Sequence, residues 1–256
     1  MTNRQTTSPL SNLMPVTLFL LVLLTIMGVA PAKAMSVSPV HVEMTSTGTQ
    51  ARAQITVTND GATALPIEIG LQKLTLDEAG KPQTSKAADD FMIYPPQAMI
   101  KPGATQIFRV QWVGEPQLAR SESYLISVNQ LPVKMPAGKN AIQVVNSMGV
   151  VVNVAPATGI GGLKLVGSTV AAGDKGRPQP VITVENPTAF HALLPRSTIR
   201  LSSGAWSKTL TPADLSGNVG IGLVQPGAKR RFVLPVDLPA GATSVQASIE
   251  YAPARK

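Results

Sequence analysis

Apolar positions recur with a two-residue period over an unusually long stretch between residues 140 and 156. Taken as a strand, it puts Ile142, Val144, Asn146, Met148, Val150, Val152 and Val154 on one face. Gln143, Val145, Ser147, Gly149, Val151 and Asn153 fall on the other, because successive side chains point to opposite sides. Only Asn146 interrupts the apolar run of the first face, and β-branched Val and Ile suit a pleated surface. Residues 142–154 are far longer than the usual strand of about five or six. Two readings stay open at this point: a central strand covered on both faces, or a strand kept for pairing with another chain.

Shorter apolar runs, separated by turn residues, predict the rest. Strands are expected over residues 36–44, 54–59, 65–71, 91–94, 106–113 and 124–131. Asn59-Asp60-Gly61 and the segment 77–82 read as turns, and Pro95-Pro96 stops regular pairing because proline donates nothing to a ladder. Helical periodicity is hard to find after residue 34. Gly and Pro, 21 and 22 of the 256 residues, are dispersed between the runs, as in an all-β sandwich rather than a disordered chain. About seven strands in some 120 residues match an immunoglobulin-like sandwich.

The second half repeats the first in outline. Ile55-Thr56-Val57 before Asn59 reappears as Ile182-Thr183-Val184 before Asn186. Pro102-Gly103-Ala104 before Phe108 reappears as Pro226-Gly227-Ala228 before Phe232. Two landmarks in the same order at similar spacing argue for two related domains. The expected division is 35–158 and 159–256, joined where Gly159, Gly161 and Gly162 relax the backbone. Residues 1–34 read as a cleaved signal peptide, with Arg4, a nearly unbroken apolar run and Ala32-Lys33-Ala34 as a small-x-small cleavage pattern. No later run is long and apolar enough to span a bilayer, so no stable membrane insertion is expected after cleavage.

Charge and chemistry narrow the class. The whole chain carries a net +8, and without Arg4 and Lys33 it keeps 20 basic and 14 acidic residues, a net +6. The basic residues are scattered, Lys229-Arg230-Arg231 being the densest run, without interleaved aromatics; no nucleic-acid site is expected. There is no Cys, so the fold needs a substantial core rather than disulfides. With two histidines, His41 and His191, placed in different domains, no metal site, cofactor or catalytic centre is expected. The pairs Asp77-Glu78 and Asp89-Asp90 read as solvated loop carboxylates. A binding protein is the expectation, not an enzyme.

The chain resembles the PapD-like periplasmic pilus chaperones of the chaperone–usher pathway. The residues that carry the likeness are Tyr94-Pro95-Pro96, then Pro102-Gly103 with Arg109-Val110, then Glu122 and Tyr124 running into Val128-Asn129-Gln130-Leu131-Pro132. The long strand ending at Pro156 and Val184-Glu185-Asn186-Pro187-Thr188 complete it. The resemblance covers essentially all of the chain after residue 34. It implies two immunoglobulin-like β-sandwich domains at an angle, a periplasmic location, pilus subunits and an outer-membrane usher as partners, and donor-strand complementation as mechanism. In that mechanism the long strand fills the gap left by a subunit's missing strand. Ile142, Val144, Met148 and Val150 are the candidate donors, Asn146 a plug or register marker, and Val152 and Val154 parts of the protein's own core.

At one point the chain departs from the best-known members, which grip the subunit's terminal carboxylate with an Arg on the first strand and a Lys on the last. Neither residues 36–44 nor 141–154 contain an Arg or Lys, and Val151 stands at the position of the usual Lys. This resembles the divergent branch called archaic. Arg109 is the first substitute for the grip, since Arg binds carboxylates bidentately, followed by Lys139 and Lys134 at the foot of the long strand. Two rival classes remain: a structural or adhesive immunoglobulin-like surface protein, and a carbohydrate-binding or hydrolytic sandwich.

Overall fold

The computed structural model describes residues 35–132, 145–173 and 176–253. The expectations for residues 1–34 lie outside that range. Strands dominate throughout. The first half contains β1 (Met35–Ser38), β2 (His41–Thr45), β3 (Arg52–Asn59), β4 (Leu65–Leu76) and β5 (Pro82–Lys86). They are followed by β6 (Phe91–Tyr94), β7 (Gln97–Ile100), β8 (Thr105–Trp112), β9 (Glu122–Gln130) and β10 (Ser147–Ala155). One sheet runs β1-β3-β8-β6 and the other β2-β10-β9-β4-β5, with β7 pairing β4.

Two proline sites explain how the chain serves both sheets. The single strand expected over residues 36–44 is broken at Pro39, so that β1 pairs β3 in one sheet and β2 pairs β10 in the other. The chain crosses again at Pro95-Pro96, where β6 pairs β8 but β7 pairs β4. A residue without an N–H ends one ladder and lets the next begin elsewhere. Inward residues from both sheets, among them Ile55, Phe108, Val110, Tyr124, Ile126 and Val152, are essentially buried and form one core. Each such aliphatic side chain contributes about 1.5–3 kcal/mol in gross transfer terms. Phe91, Trp112 and Tyr124 pack edge to face within it, with centroids 4.9–5.8 Å apart.

The second half contains β11 (Lys164–Ala172), β12 (Pro178–Glu185), β13 (Ala192–Leu193), β14 (Ser197–Ser203) and β15 (Trp206–Leu210). A single helical turn, α1 (Pro212–Leu215), then precedes β16 (Leu223–Val224), β17 (Lys229–Val233) and β18 (Gln246–Tyr251). Although no helical period marks α1, Thr211 and Asp214 close it reciprocally as a capping box, with Pro at the first position. The sheets run β11-β12-β17, β15-β14-β18 and β13-β16. They enclose a second core around Ile182, Leu194, Ile199, Leu215, Phe232 and Leu234.

The two halves meet through specific bonds. β4 extends five residues beyond the expected end at 71 and forms a hairpin with β5. That hairpin reaches the second half: Leu76 N donates to Gln225 Oε1 at 2.9 Å, Gln225 Nε2 donates to Leu74 O at 2.8 Å, and Arg231 N donates to Glu78 O at 2.7 Å. Ser121 N donates to Ala189 O at 2.8 Å and His191 N to Ser121 Oγ at 3.1 Å. The glycines of the connecting segment serve close approach rather than slack. A side chain at Gly159 (φ 126°) would run into the Phe190 ring, and one at Gly161 would sit 2.6 Å from the His191 carbonyl oxygen.

Candidate functional site

The period-two face of the long strand is real within the described residues, and its burial is graded along its length. Val150, Val152 and Val154 are fully buried in the first core. Met148, one pleat earlier on the same face, is 39% exposed, and Val145 is 48% exposed. β10 pairs β9 along its length, from Ser147 opposite Asn129 to Val154 opposite Glu122. On its other side β2 covers only residues 151–155, in parallel register from His41 to Thr45. Between Ser147 and Val150 that second edge has no partner strand among the described residues. An unpaired ladder edge beside exposed apolar side chains is a surface suited to strand addition.

The four expected donors are therefore divided. Ile142 and Val144 lie outside the described residues, and Met148 stands on the open edge. Val150 is corrected: its side chain is 0% exposed in the protein's own core, so it is already committed and cannot enter a partner. Asn146 is exposed and precedes β10, with its backbone N–H 3.4 Å from Gln130 Oε1. Lys139 and Lys134 also lie outside the described residues. Arg109 is not brought to the open edge. It sits on β8, in the other sheet, in one row with Gln54 of β3 and Tyr94 of β6. Its neighbours in sequence, Phe108 and Val110, are buried, so Arg109 faces outward, where it makes no ion pair among the described residues.

A polar cluster that no local pattern announces ties the outer face of β10 to the second half. Glu43, two residues after His41 on β2, accepts from His41 Nε2 at 2.7 Å and from His191 Nε2 at 2.6 Å. Asn153, fully buried, donates from Nδ2 to Glu43 Oε1 at 3.0 Å and accepts from Ser123 Oγ at 2.8 Å. Arg196 Nη2 lies 3.9 Å from the same carboxylate. Burial raises the pKa of Glu43, but the bonds from His191, His41 and Asn153 and the charge of His191 outweigh it and hold the carboxyl well below the usual carboxylate range. The two histidines, expected to be separate, share one carboxylate. Asp90 is likewise not simply solvated: Tyr124 Oη lies 2.8 Å from its Oδ2 and 2.6 Å from Glu122 Oε2. Burial first, and those two carboxylates second, push the phenol far above its ordinary value.

Residues 34–159 match the family model described as "Pili and flagellar-assembly chaperone, PapD N-terminal domain". Residues 34–159 are thus an N-terminal domain of the pili and flagellar-assembly chaperone family. Membership places it among chaperones rather than in an enzyme class. No curated protein matches the chain. Two solved structures are similar to this chaperone in fold. One, titled "Crystal Structure of Class 5 Fimbriae Chaperone CfaA", is 9% identical, with a TM-score of 0.50 over 83% of this chain and 98% of that one. The other, titled "Chaperone-tip adhesin complex is vital for synergistic activation of CFA/I fimbriae biogenesis", is 12% identical, with a TM-score of 0.50 over 86% of this chain and 99% of that one. At such identities what is shared is the fold, two β domains.

Proposed function

We propose that this chaperone is exported to the periplasm, holds pilus subunits by lending them a strand and delivers them to an outer-membrane usher. The observation that carries this reading is the half-paired β10. Its later part is locked between β2 and β9, while Ser147–Val150 has one edge without a partner strand among the described residues; the sequence before it carries the apolar positions Val144 and Ile142. A subunit lacking a strand exposes an apolar groove and unpaired backbone groups, each costly in isolation. An added strand satisfies those groups at about 0.5–1.5 kcal/mol net per hydrogen bond. Alternate side chains then set register, here Ile142, Val144 and Met148. Arg109 and Lys139 are the proposed contacts for the subunit's terminal carboxylate. The proposed domain join lies at residues 157–162.

The test is periplasmic co-expression with the pilin encoded by a neighbouring reading frame, purifying through a tag on the chaperone. A soluble one-to-one complex is expected, with the pilin degraded or insoluble when expressed alone. A pilin that is stable by itself and never co-purifies would overturn the proposal.

A further inference from the structure

The outer face of the β1-β3-β8-β6 sheet carries a shallow groove of about 770 Å³, with Arg52 and Gln54 of β3 and Arg109 and Gln111 of β8 around it. Its floor is Ala53 opposite Val110. Arg52 pairs with Gln111 and Gln54 with Arg109. Guanidinium groups therefore hold one diagonal of a rectangle and carboxamides the other, diagonal neighbours being about 7–8 Å apart. On the next strand the line of the groove passes between Met92, opposite Gln111, and Tyr94, opposite Arg109. It crosses three strands, about 10 Å at a spacing of about 4.8 Å.

The chemistry of this face selects its occupant. None of the four strands contains an Asp or Glu. Neither Arg52 nor Arg109, both exposed, forms an ion pair among the described residues. Two guanidinium forks are thus open to carboxylate or sulfate groups. Guanidinium groups only donate, whereas Gln54 and Gln111 add acceptors as well as donors, as hydroxyl groups require. Tyr94 is 69% exposed, and its ring offers an apolar face with a polar tip. That face suits a sugar ring, which is apolar on its flat sides and polar at its rim. β3 and β8 are interior strands, paired on both sides. Their backbone groups are already engaged, so an extended peptide lying in the groove finds no ladder for its own N–H and C=O groups. A saccharide has no such ladder to satisfy.

We propose that this groove binds an acidic saccharide chain, with its anionic groups on Arg52 and Arg109, its hydroxyls on Gln54 and Gln111 and one ring against Tyr94. The site does not depend on the pilus-subunit reading, with which it shares only Arg109. Subunit capture that persists while saccharide binding fails, or the reverse, separates the two.

The experiment is titration calorimetry on the purified protein at physiological ionic strength. The probes are a short oligogalacturonate, the same chain with its carboxylates methyl-esterified, and a sulfated oligosaccharide of equal length. Saturable binding of an acidic saccharide is expected, at least ten-fold tighter than the ester. Arg52→Gln should weaken the acid at least five-fold, and Arg52→Lys, which keeps the charge but loses the fork, should fall between the two. Tyr94→Ala, which changes no charge, should weaken acid and ester alike. Arg52 and Tyr94 are both exposed, so the melting temperatures of these variants should match the wild type. Tighter binding of the sulfated probe assigns sulfate as the anionic group, and tighter binding of the uronate assigns a carboxylate. Binding of neither acidic saccharide, equal or tighter binding of a glutamate oligopeptide of the same charge, adsorption to phosphatidylglycerol vesicles alone, or wild-type affinity in Arg52→Gln or Tyr94→Ala overturns the proposal.

Discussion

Replacing Glu43 with Ala tests the join between the two halves. The substitution removes the acceptor of His191 Nε2, His41 Nε2 and the Asn153 amide at one stroke. Hydrogen bonds to charged groups are worth about 1.5–3 kcal/mol each, but the Glu43 side chain is 35% exposed, so solvent screening places these at the lower end or below. His191, whose side chain is 5% exposed, and the buried Asn153 then lose an acceptor with little access to water. The expected loss is about 2–3 kcal/mol, a fall in Tm of roughly 5–10 °C for a protein of this size. Because His191 belongs to the second half, calorimetry of Glu43→Ala should also show the single unfolding transition broadening or splitting. Glu43→Gln should do no better, since its NH2 would face a donating imidazole. The sign with pH follows from the lowered pKa of Glu43. Its contribution is complete above the ordinary glutamate value of about 4.3 and drains away as pH falls below it toward the folded value. The gap between wild type and Glu43→Ala should therefore narrow in acid. A fall in Tm under 2 °C at pH 7, or a gap that does not shrink between pH 5 and pH 2.5, would refute the reasoning.

The boundary within β10 is tested by a pair of charges. Met148→Asp should leave the melting temperature nearly unchanged and weaken subunit capture at least ten-fold in the co-expression assay. Val150→Asp, which forces a carboxylate into the first core, should cost several kcal/mol and abolish soluble protein; a folded Val150→Asp would show the boundary drawn in the wrong place. Arg109→Ala should leave stability within about 0.5 kcal/mol, as for an exposed residue without an ion pair, and weaken capture. Unchanged capture would assign the carboxylate grip to another residue.

What could be read from local pattern and what could not divides on physical grounds. β6 and β9 fall within two residues of expectation, because period-two alternation and the Pro and Gly stops are local signals. Pro39 carried the signal for the broken first strand, and its meaning, a change of sheet, depends on which strands are waiting on either side. The burial gradient along β10 is set by where β2 runs out as a partner, so Val150 and Met148 look alike in sequence and differ in role. Glu43, His41 and His191 come together across 148 residues, and no spacing rule reaches that far. Arg230 was visible only as part of a basic run, since its burial against Leu223 O and the Phe232 ring is a property of its surroundings.

The parallel pairing of β2 with β10 carries a consequence for the order of events in time. His41–Thr45 finds its ladder at residues 151–155, 110 positions later in the chain. A polypeptide emerging from its amino end has β1, β3 and β8 at hand long before that ladder can form, so one sheet assembles while the other waits for the strand that joins β2 to β9. Loop closure over such a span precedes any reward from the contact, which slows folding. The last step to complete the first domain is thus the arrival of β10, the strand whose leading end is left open for a guest.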